Sequence, residues 1–294
     1  MFRVIMKVLF IYRAPEFSPN NVLNDAAILD AVADGLSSFC SLCEKCFEEA
    51  LPADLEVFDL IFHMARRPAT LTLLRQLSHA RVVNPPEAVS VVSSSRGQTL
   101  EMLHEAGIPV PQWISLAQVD LPSEKWQEQA LPMLPGWIKG IRHTGSYQDD
   151  VTFVDNLPQV TEVMQRLTNR PLADLILTRH LAGDLVKCYY VAAPIPFLSW
   201  FYPQDRSYSK FGEAEMHNSD LSRIPFQAAQ LETVAQGITK ALGLQVFGFD
   251  AIVSPKAADA ESPCISVIDV NDWPTFGICR SEAAEAIIRI INTD

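Results

Sequence analysis

Residues 265–277 read Ile-Ser-Val-Ile-Asp-Val-Asn-Asp-Trp-Pro-Thr-Phe-Gly, and the reading of this stretch decides the fold. Ile265, Val267, Ile268 and Val270 form a short run of β-formers, closed by Pro263 on one side and Asp272-Trp273-Pro274 on the other, which predicts a mostly buried strand. Asp269 and Asn271 are two residues apart, so the pleat presents both on one face. A carboxylate in an apolar strand loses several kcal/mol of solvation unless it is partnered. A hard divalent cation with oxygen ligands is one such partner; hydrogen bonds to backbone or an arginine at a strand end are the other.

Upstream, residues 244–254 read Leu-Gln-Val-Phe-Gly-Phe-Asp-Ala-Ile-Val-Ser, with Asp250 among apolar residues. A polar stretch, Pro-Lys-Ala-Ala-Asp-Ala-Glu-Ser-Pro, separates the two runs, which is a hairpin signal with acids on both arms. Such a pair resembles the metal-binding end of the ATP-grasp superfamily, at its Gly-x-Asp…(Glu/Asp)-x-Asn pattern. The resemblance implies ATP with two magnesium ions (Mg2+) bridging its phosphates, held by Asp250, Asp269 and Asn271. The first acid of the second strand is usually Glu in that superfamily, and an Asp-x-Asn version is a feature of its inositol polyphosphate kinase branch.

The whole chain has 294 residues, 48% hydrophobic content and a net charge of -12, enough for two or three packed units. So acidic a chain is a poor binder of nucleic acid or anionic membrane. No apolar run approaches the roughly 20 residues of a membrane helix, and the Met-Phe-Arg-Val-Ile-Met-Lys start is short and strand-like for a signal peptide. The expectation is a cytoplasmic protein whose partner is a small-molecule or peptide acceptor, neither nucleic acid nor membrane, with homodimerisation left open. Cys40, Cys43 and Cys46 are spaced like part of a zinc or iron–sulfur site, but no fourth ligand follows nearby. On a helix the three lie near one face, and packing is the reading taken.

The N-terminal third alternates strand and helix: Val4–Tyr12 and Leu55–His63 as strands, Asn24–Leu36 and Ala69–Ser78 as helices. This is the pattern of an open α/β sheet, in which ligands collect beyond the carboxyl ends of the strands. Arg13, His63, Arg66 and Arg67 fall there and are candidates for holding an anionic acceptor, against the alternative of a solvated basic loop. Asn84-Pro85-Pro86 then breaks the chain. Gln98–Ala106 is a helix, Gly107 its cap, and Pro109 and Pro111 force an extended exit. ATP-grasp proteins look similar at the entry to the nucleotide domain, with a Lys where Arg96 stands; the charge is kept, but as a fork rather than a point.

After a linker-like segment at Leu121–Pro135, Trp137-Ile138-Lys139 reads as a strand, Arg142–Asp150 as a polar loop and Val151–Val154 as the returning strand. A lysine inside an apolar strand calls for an anion, and phosphates supply one. The resemblance implies that Lys139 contacts the α- and β-phosphates while Thr144, Gly145 and Ser146 cover the triphosphate. Arg142-His143 is similar to the basic loop of the inositol kinases and a candidate for substrate. Leu175–Val191 is strand, turn, strand, similar to the superfamily's hinge. The backbone of His180 and Leu181 would then read adenine, Asp184 the ribose, and Lys187 the phosphates, with Arg179 where a Glu is usual. In the long polar loop from Pro203 to Asp220, Arg206 and Lys210 are candidates for stabilising an acyl-phosphate. A helix over Gln227–Leu242 leads into the acidic hairpin, and Glu282–Ile291 closes the chain.

The resemblance therefore spans nearly the whole chain and implies an α/β protein: an N-terminal open α/β domain (1–95), then an α+β nucleotide domain of two lobes (96–180 and 181–294). It implies an ATP- and magnesium-dependent ligase that joins a carboxylate to an amine through an acyl-phosphate. Two other functions fit the same fold. A small-molecule kinase similar to the inositol phosphate kinases is favoured by Asp269 and Arg142-His143; a non-catalytic binding protein is favoured by Arg96 and Arg179.

Overall fold

The computed structural model describes residues 6–18, 22–116, 124–140, 151–167, 175–203, 223–255 and 262–292. The candidates Arg142, His143, Thr144, Gly145, Ser146, Arg206 and Lys210 lie outside them. Three four-stranded sheets follow one another along the chain.

The first sheet holds β1 (Met6–Tyr12), β2 (Cys40–Phe47), β3 (Leu60–His63) and β4 (Arg81–Val83), all parallel in the order β2-β1-β3-β4. Val8, Leu9, Phe10 and Ile11 of β1 are completely buried, as a strand covered on both faces requires. Helices α1 (Val22–Leu36) and α2 (Pro68–Gln76) make the crossovers. The cysteine run is therefore not helical. Cys40, Cys43 and Cys46 lie on the edge strand β2, where a bulge after Cys40 leaves Cys40 and Cys43 opposite Met6 and Val8 on one face and turns Cys46 to the other face with Leu9 and Ile11, so the three cannot share a metal. The strand expected over Leu55–His63 begins only at Leu60, because Asp54 accepts from the Glu56 amide and Phe58 from its own amide bonds Leu55, making a turn.

Two short helices, α3 (Pro86–Ser94) and α4 (Arg96–Glu105), lead to the second sheet. Neither α3 nor the start of α4 was expected where they are. Pro85-Pro86 does not only break the chain; Pro86 sits at the first position of α3, where a missing amide costs nothing. Ser95 caps α4 by accepting from the Gln98 amide at 3.1 Å. The second sheet is antiparallel, from β5 (Trp113–Ser115), β6 (Gly136–Lys139), β7 (Val151–Val154) and β8 (Ile176–Arg179) in the order β5-β8-β6-β7. Ile138, Val154 and Leu177 form its core with Trp126 and with Val160 and Met164 of α6 (Leu157–Leu167). Trp126 belongs to α5 (Glu124–Ala130), so the segment read as a linker contains a packed helix.

The third sheet is antiparallel as well, from β9 (Asp184–Val191), β10 (Phe197–Phe201), β11 (Val246–Ser254) and β12 (Cys264–Asp272) in the order β10-β9-β11-β12. Gly183 makes the crossing from β8 to β9 possible: its φ is 153° and a Cβ there would lie 2.2 Å from the Val253 carbonyl oxygen. One face of this sheet packs on α7 (Ala228–Leu242) through Val186, Cys188, Phe249, Ala235 and Ile238, and Leu103 of α4 joins the same core. The last helix, α8 (Arg280–Arg289), returns to the first sheet, where Ala283, Ala286 and Ile287 share a core with Phe10, Ile28 and Val32. Among the described residues no helix is long and apolar enough to cross a membrane.

Candidate nucleotide and metal site

The register of the third sheet brings its charged residues together. Asp250 of β11 stands opposite Asp269 of β12 on one side and opposite Lys187 of β9 on the other. Directly paired residues in adjacent strands project to the same face, so the hairpin read from sequence presents both acids and Lys187 away from α7. Lys187 Nζ lies 2.9 Å from Asp250 Oδ2. Asn271 donates from Nδ2 to Asp269 Oδ2 at 3.3 Å, so both side chains occupy one spot, as their spacing predicts.

Two more cations arrive from other elements. Arg96, the first residue of α4, pairs through Nη1 with Asp269 and donates from Nε to the Gly140 carbonyl at 3.0 Å. Lys139, the last residue of β6, is 7% exposed and donates from Nζ to the Ile268 carbonyl at 2.9 Å, tying the second sheet to β12. Burial pushes its ammonium down to about 8; Asp269 pulls it back up and Arg96 pushes it further down. Burial raises the Asp250 carboxyl, Lys187 opposes that, and Asp269 adds to it, the pattern of two carboxylates sharing one site.

Two small adjoining recesses, partly open to solvent, lie here and share Val92, Arg96, Asp269 and Val270. Lys139 and Ile176 line the first; Arg66, Ser95 and Asn271 line the second. The donor set of two carboxylates and a carboxamide oxygen is hard and oxygen-only, which fits magnesium rather than a thiophilic metal. Among the described residues no group of three or more His, Cys, Asp and Glu side chains comes together as a metal site, and the set here is two carboxylates and one carboxamide.

The hinge candidates lie elsewhere on the second sheet. His180 donates its amide to the Pro135 carbonyl at 2.9 Å, and its Nδ1 accepts from Trp137 Nε1 at 3.1 Å. Trp137, Phe153 and His180 pack together, with ring centroids 5.0 to 6.2 Å apart. Leu181 follows, half-buried. Arg179 is exposed and its amide bonds the Gln112 carbonyl. Asp184 does not join the site. It is an odd number of residues from Lys187, so the pleat turns it to the α7 side, where it is buried and accepts from the Ile224 amide at 2.6 Å.

The basic residues of the N-terminal sheet are where the open-sheet rule puts them, yet their partners are internal. Arg13 follows β1 and Arg66 follows β3, and both converge on Asp272 at the end of β12, at 3.4 and 2.7 Å. Arg13 also pairs with Asp25 of α1. Asp272 is 1% exposed; burial alone would raise its carboxyl, but Arg66 and Arg13 overcome that and hold it below the usual range. His63 is fully buried, donates from Nε2 to the Asn84 carbonyl at 2.7 Å, and is pushed down to about 4 by burial, so it cannot hold an acceptor as expected. Arg67 is turned to the acids Glu16, Glu48 and Glu49. Of the four, Arg66 alone lines a recess at the acidic strand.

Asp272 and Asn84 were not singled out from the sequence. Asp272 follows the acidic pair by one residue and reads as part of the turn. Asn84 carries its signal in standing before Pro85-Pro86: it is completely buried and clasps the start of β11, donating to the Val246 carbonyl and accepting from the Gln245 and Val246 amides, all within 2.8 Å.

A parallel sheet followed by two antiparallel sheets, with Lys139 of one and Asp269 of the other at a shared recess, is the layout of the ATP-grasp fold. Solved structures carry the same layout. The D-Ala:D-Ser ligase VanG from Enterococcus faecalis superposes with a TM-score of 0.67 at 14% identity, over 97% of this chain and 99% of that one. The D-alanine-D-alanine ligase from Bacillus anthracis, solved with ATP, gives 0.66 at 12% identity, over 97% and 96%. A RimK-domain ATP-grasp protein from Sphaerobacter thermophilus gives 0.61 at 15% identity, over 97% and 100%. At these identities the likeness is one of fold. The sequence matches no protein-family model and no curated protein.

Proposed function

We propose that this chain is an ATP-dependent ligase that joins a carboxylate to an amine through an acyl-phosphate, with magnesium at Asp250, Asp269 and Asn271. The observation that carries the reading is the meeting of three cations from three elements, Arg96, Lys139 and Lys187, with the two acids of one hairpin. In this reading Lys139 and Lys187 hold the nucleotide phosphates, and Arg96 adds a forked contact. Magnesium would supply charge neutralisation on those phosphates. The chain's own share is to fix the phosphate and the acceptor carboxylate in line and out of water, which is the larger part of catalysis in phosphoryl transfer. The recess lined by Arg66, Ser95 and Asn271 is assigned to the acceptor, a small molecule or peptide end bearing a carboxylate.

The solved ligases named above support the class of reaction and leave the substrates open. The kinase reading has two sequence features in its favour, the Asp269-Asn271 pair in place of Glu-x-Asn, and Arg142-His143, the latter two residues outside the described ones. A single screen separates the two: ADP release with magnesium and ATP, against carboxylates offered with amines and, separately, against inositol phosphates. Release only when both a carboxylate and an amine are present supports the ligase; release with an inositol phosphate alone overturns it. Asp269→Asn should abolish turnover in either case while leaving the circular dichroism spectrum unchanged, since it removes a charge and keeps the shape. An active Asp269→Asn enzyme would remove this site from the reaction.

A further inference from the structure

We propose that Arg96 and Lys187 are placeholders for the divalent cation: each occupies one of the two carboxylates assigned to magnesium, so that metal and nucleotide bind only as a pair. The inference rests on the site reading given above and adds a role for two of its residues.

Asp250 and Asp269 face each other directly across β11 and β12. Two carboxylates so placed repel unless each has a counter-ion. Each has one. Arg96 is bound to Asp269 and is itself only 14% exposed; Lys187 is bound to Asp250. Lys139, by contrast, spends its hydrogen bond on the Ile268 carbonyl, while both acids act on it through their charge.

Consider each ligand arriving alone. A divalent cation must displace a guanidinium and an ammonium from the acids, which leaves two cations without their carboxylates beside the added charge. A nucleoside triphosphate alone must draw the same two cations away, which leaves two facing carboxylates without those counter-ions beside its own negative charge. When both arrive, the metal takes the carboxylates and the phosphates take Arg96 and Lys187, and every ion ends with a partner. The exchange makes binding of one ligand favourable to the other, and by linkage the effect is reciprocal. Couplings of this kind typically run from about 5-fold to 150-fold in affinity.

Divalent cations also bind ATP in solution, so the decisive arm is the metal alone. Manganese(II) binding to the full-length protein is followed by electron paramagnetic resonance, without nucleotide, for the natural sequence, Arg96→Gln and Lys187→Gln, each checked for an unchanged circular dichroism spectrum. The expected result is that either substitution tightens binding of the metal alone by about tenfold or more. Lys187 is the more exposed of the two, so its variant serves if Arg96→Gln does not fold. Binding of manganese alone to the natural protein as tightly as to the folded variants would overturn the placeholder role. A companion titration with a non-hydrolysable ATP analogue plus manganese separates that failure from failure of the site itself. If the analogue binds but the metal arm shows no gain in either variant, the placeholder role falls and the nucleotide site stands. If neither ligand binds in any combination, the site reading falls and the inference falls with it.

Discussion

Lys139 combines a poor structural position with a good chemical one. A buried ammonium whose pKa has been pushed down to about 8 opposes folding at neutral pH, and among the described residues the group it bonds is a backbone carbonyl. An apolar side chain of the same length would fill the place with less penalty. Lys139→Met should therefore keep or raise stability, by up to about 1 kcal/mol, while weakening binding of an ATP analogue with magnesium at least tenfold. Urea unfolding and a binding titration on the same preparation check the two halves; a large loss of stability with unchanged affinity would make Lys139 a structural residue. His63 makes the contrasting case of a titratable group used for structure. Its folded pKa of about 4 lies below the ordinary 6.5, so between those values the unfolded chain binds a proton that the folded chain does not. Stability therefore rises with pH from 4 to 6.5, is flat above, and is lost on acidification, by about 3 kcal/mol in all at 1.36 kcal/mol per pH unit. Urea midpoints between pH 4.5 and 7.5 should show this slope, and His63→Gln should flatten it.

At the scale of elements, β11 and β12 were legible because a period-two strand with an acid inside an apolar run is a rare pattern with few explanations. Lys139 in β6 was legible for the same reason. The elements that escaped notice have physical causes. The cysteine strand β2 is an edge strand with exposed and half-buried residues, so its apolar pattern is too weak to distinguish from a helix. Asp184 reads as a cleft residue by sequence proximity to the hinge, and only the pleat reveals that it faces α7. Arg13, Arg66 and Asp272 show the limit of local reading: their partners are over 200 residues apart, and no window along the chain connects them. The Asn84 clasp is of the same kind. It joins the end of β4 to the start of β11 through three hydrogen bonds of one buried side chain. Asn84→Ala would leave the Gln245 and Val246 amides without that partner, at about 1 to 3 kcal/mol for each unsatisfied group, while the Val246 carbonyl keeps the Trp273 amide. A loss of about 3 kcal/mol or more is expected from chemical denaturation, with the cleft opened as well. A loss below 1 kcal/mol would mean that water reaches those groups and that the clasp is not closed.

In the whole molecule the three sheets are not three independent units, because the chain's last helix returns to its first sheet. Ala283, Ala286, Ile287 and Ile290 sit in one core with Val8, Phe10, Ile28 and Val32, and Trp273 and Phe276 from the segment after β12 complete it. The Tyr189 ring on β9 packs, tilted, against Phe276 with centroids 5.1 Å apart, so the same segment also rests on the third sheet. Asp272, held by Arg13 and Arg66, fastens this joint one residue after Asn271. The carboxyl ends of the first sheet are thus bonded to the strand that bears Asp269 and Asn271, the proposed metal ligands, and any movement of one displaces the other. Residues 1–95 expressed alone should consequently fail to fold, since the fragment lacks α8, Trp273, Phe276 and the counter-ion of two buried arginines. The fragment's amide proton spectrum should show the narrow dispersion of an unfolded chain, and adding a synthetic peptide of residues 270–294 should restore dispersed signals if the core assembles as described. A folded 1–95 fragment would show instead that α1, α2 and the sheet suffice, and that α8 and Asp272 bind to a completed domain. In that event Asp272→Asn would disturb the cleft without lowering the stability of the first sheet, whereas the joint seen here requires it to cost the whole protein about 3 to 5 kcal/mol.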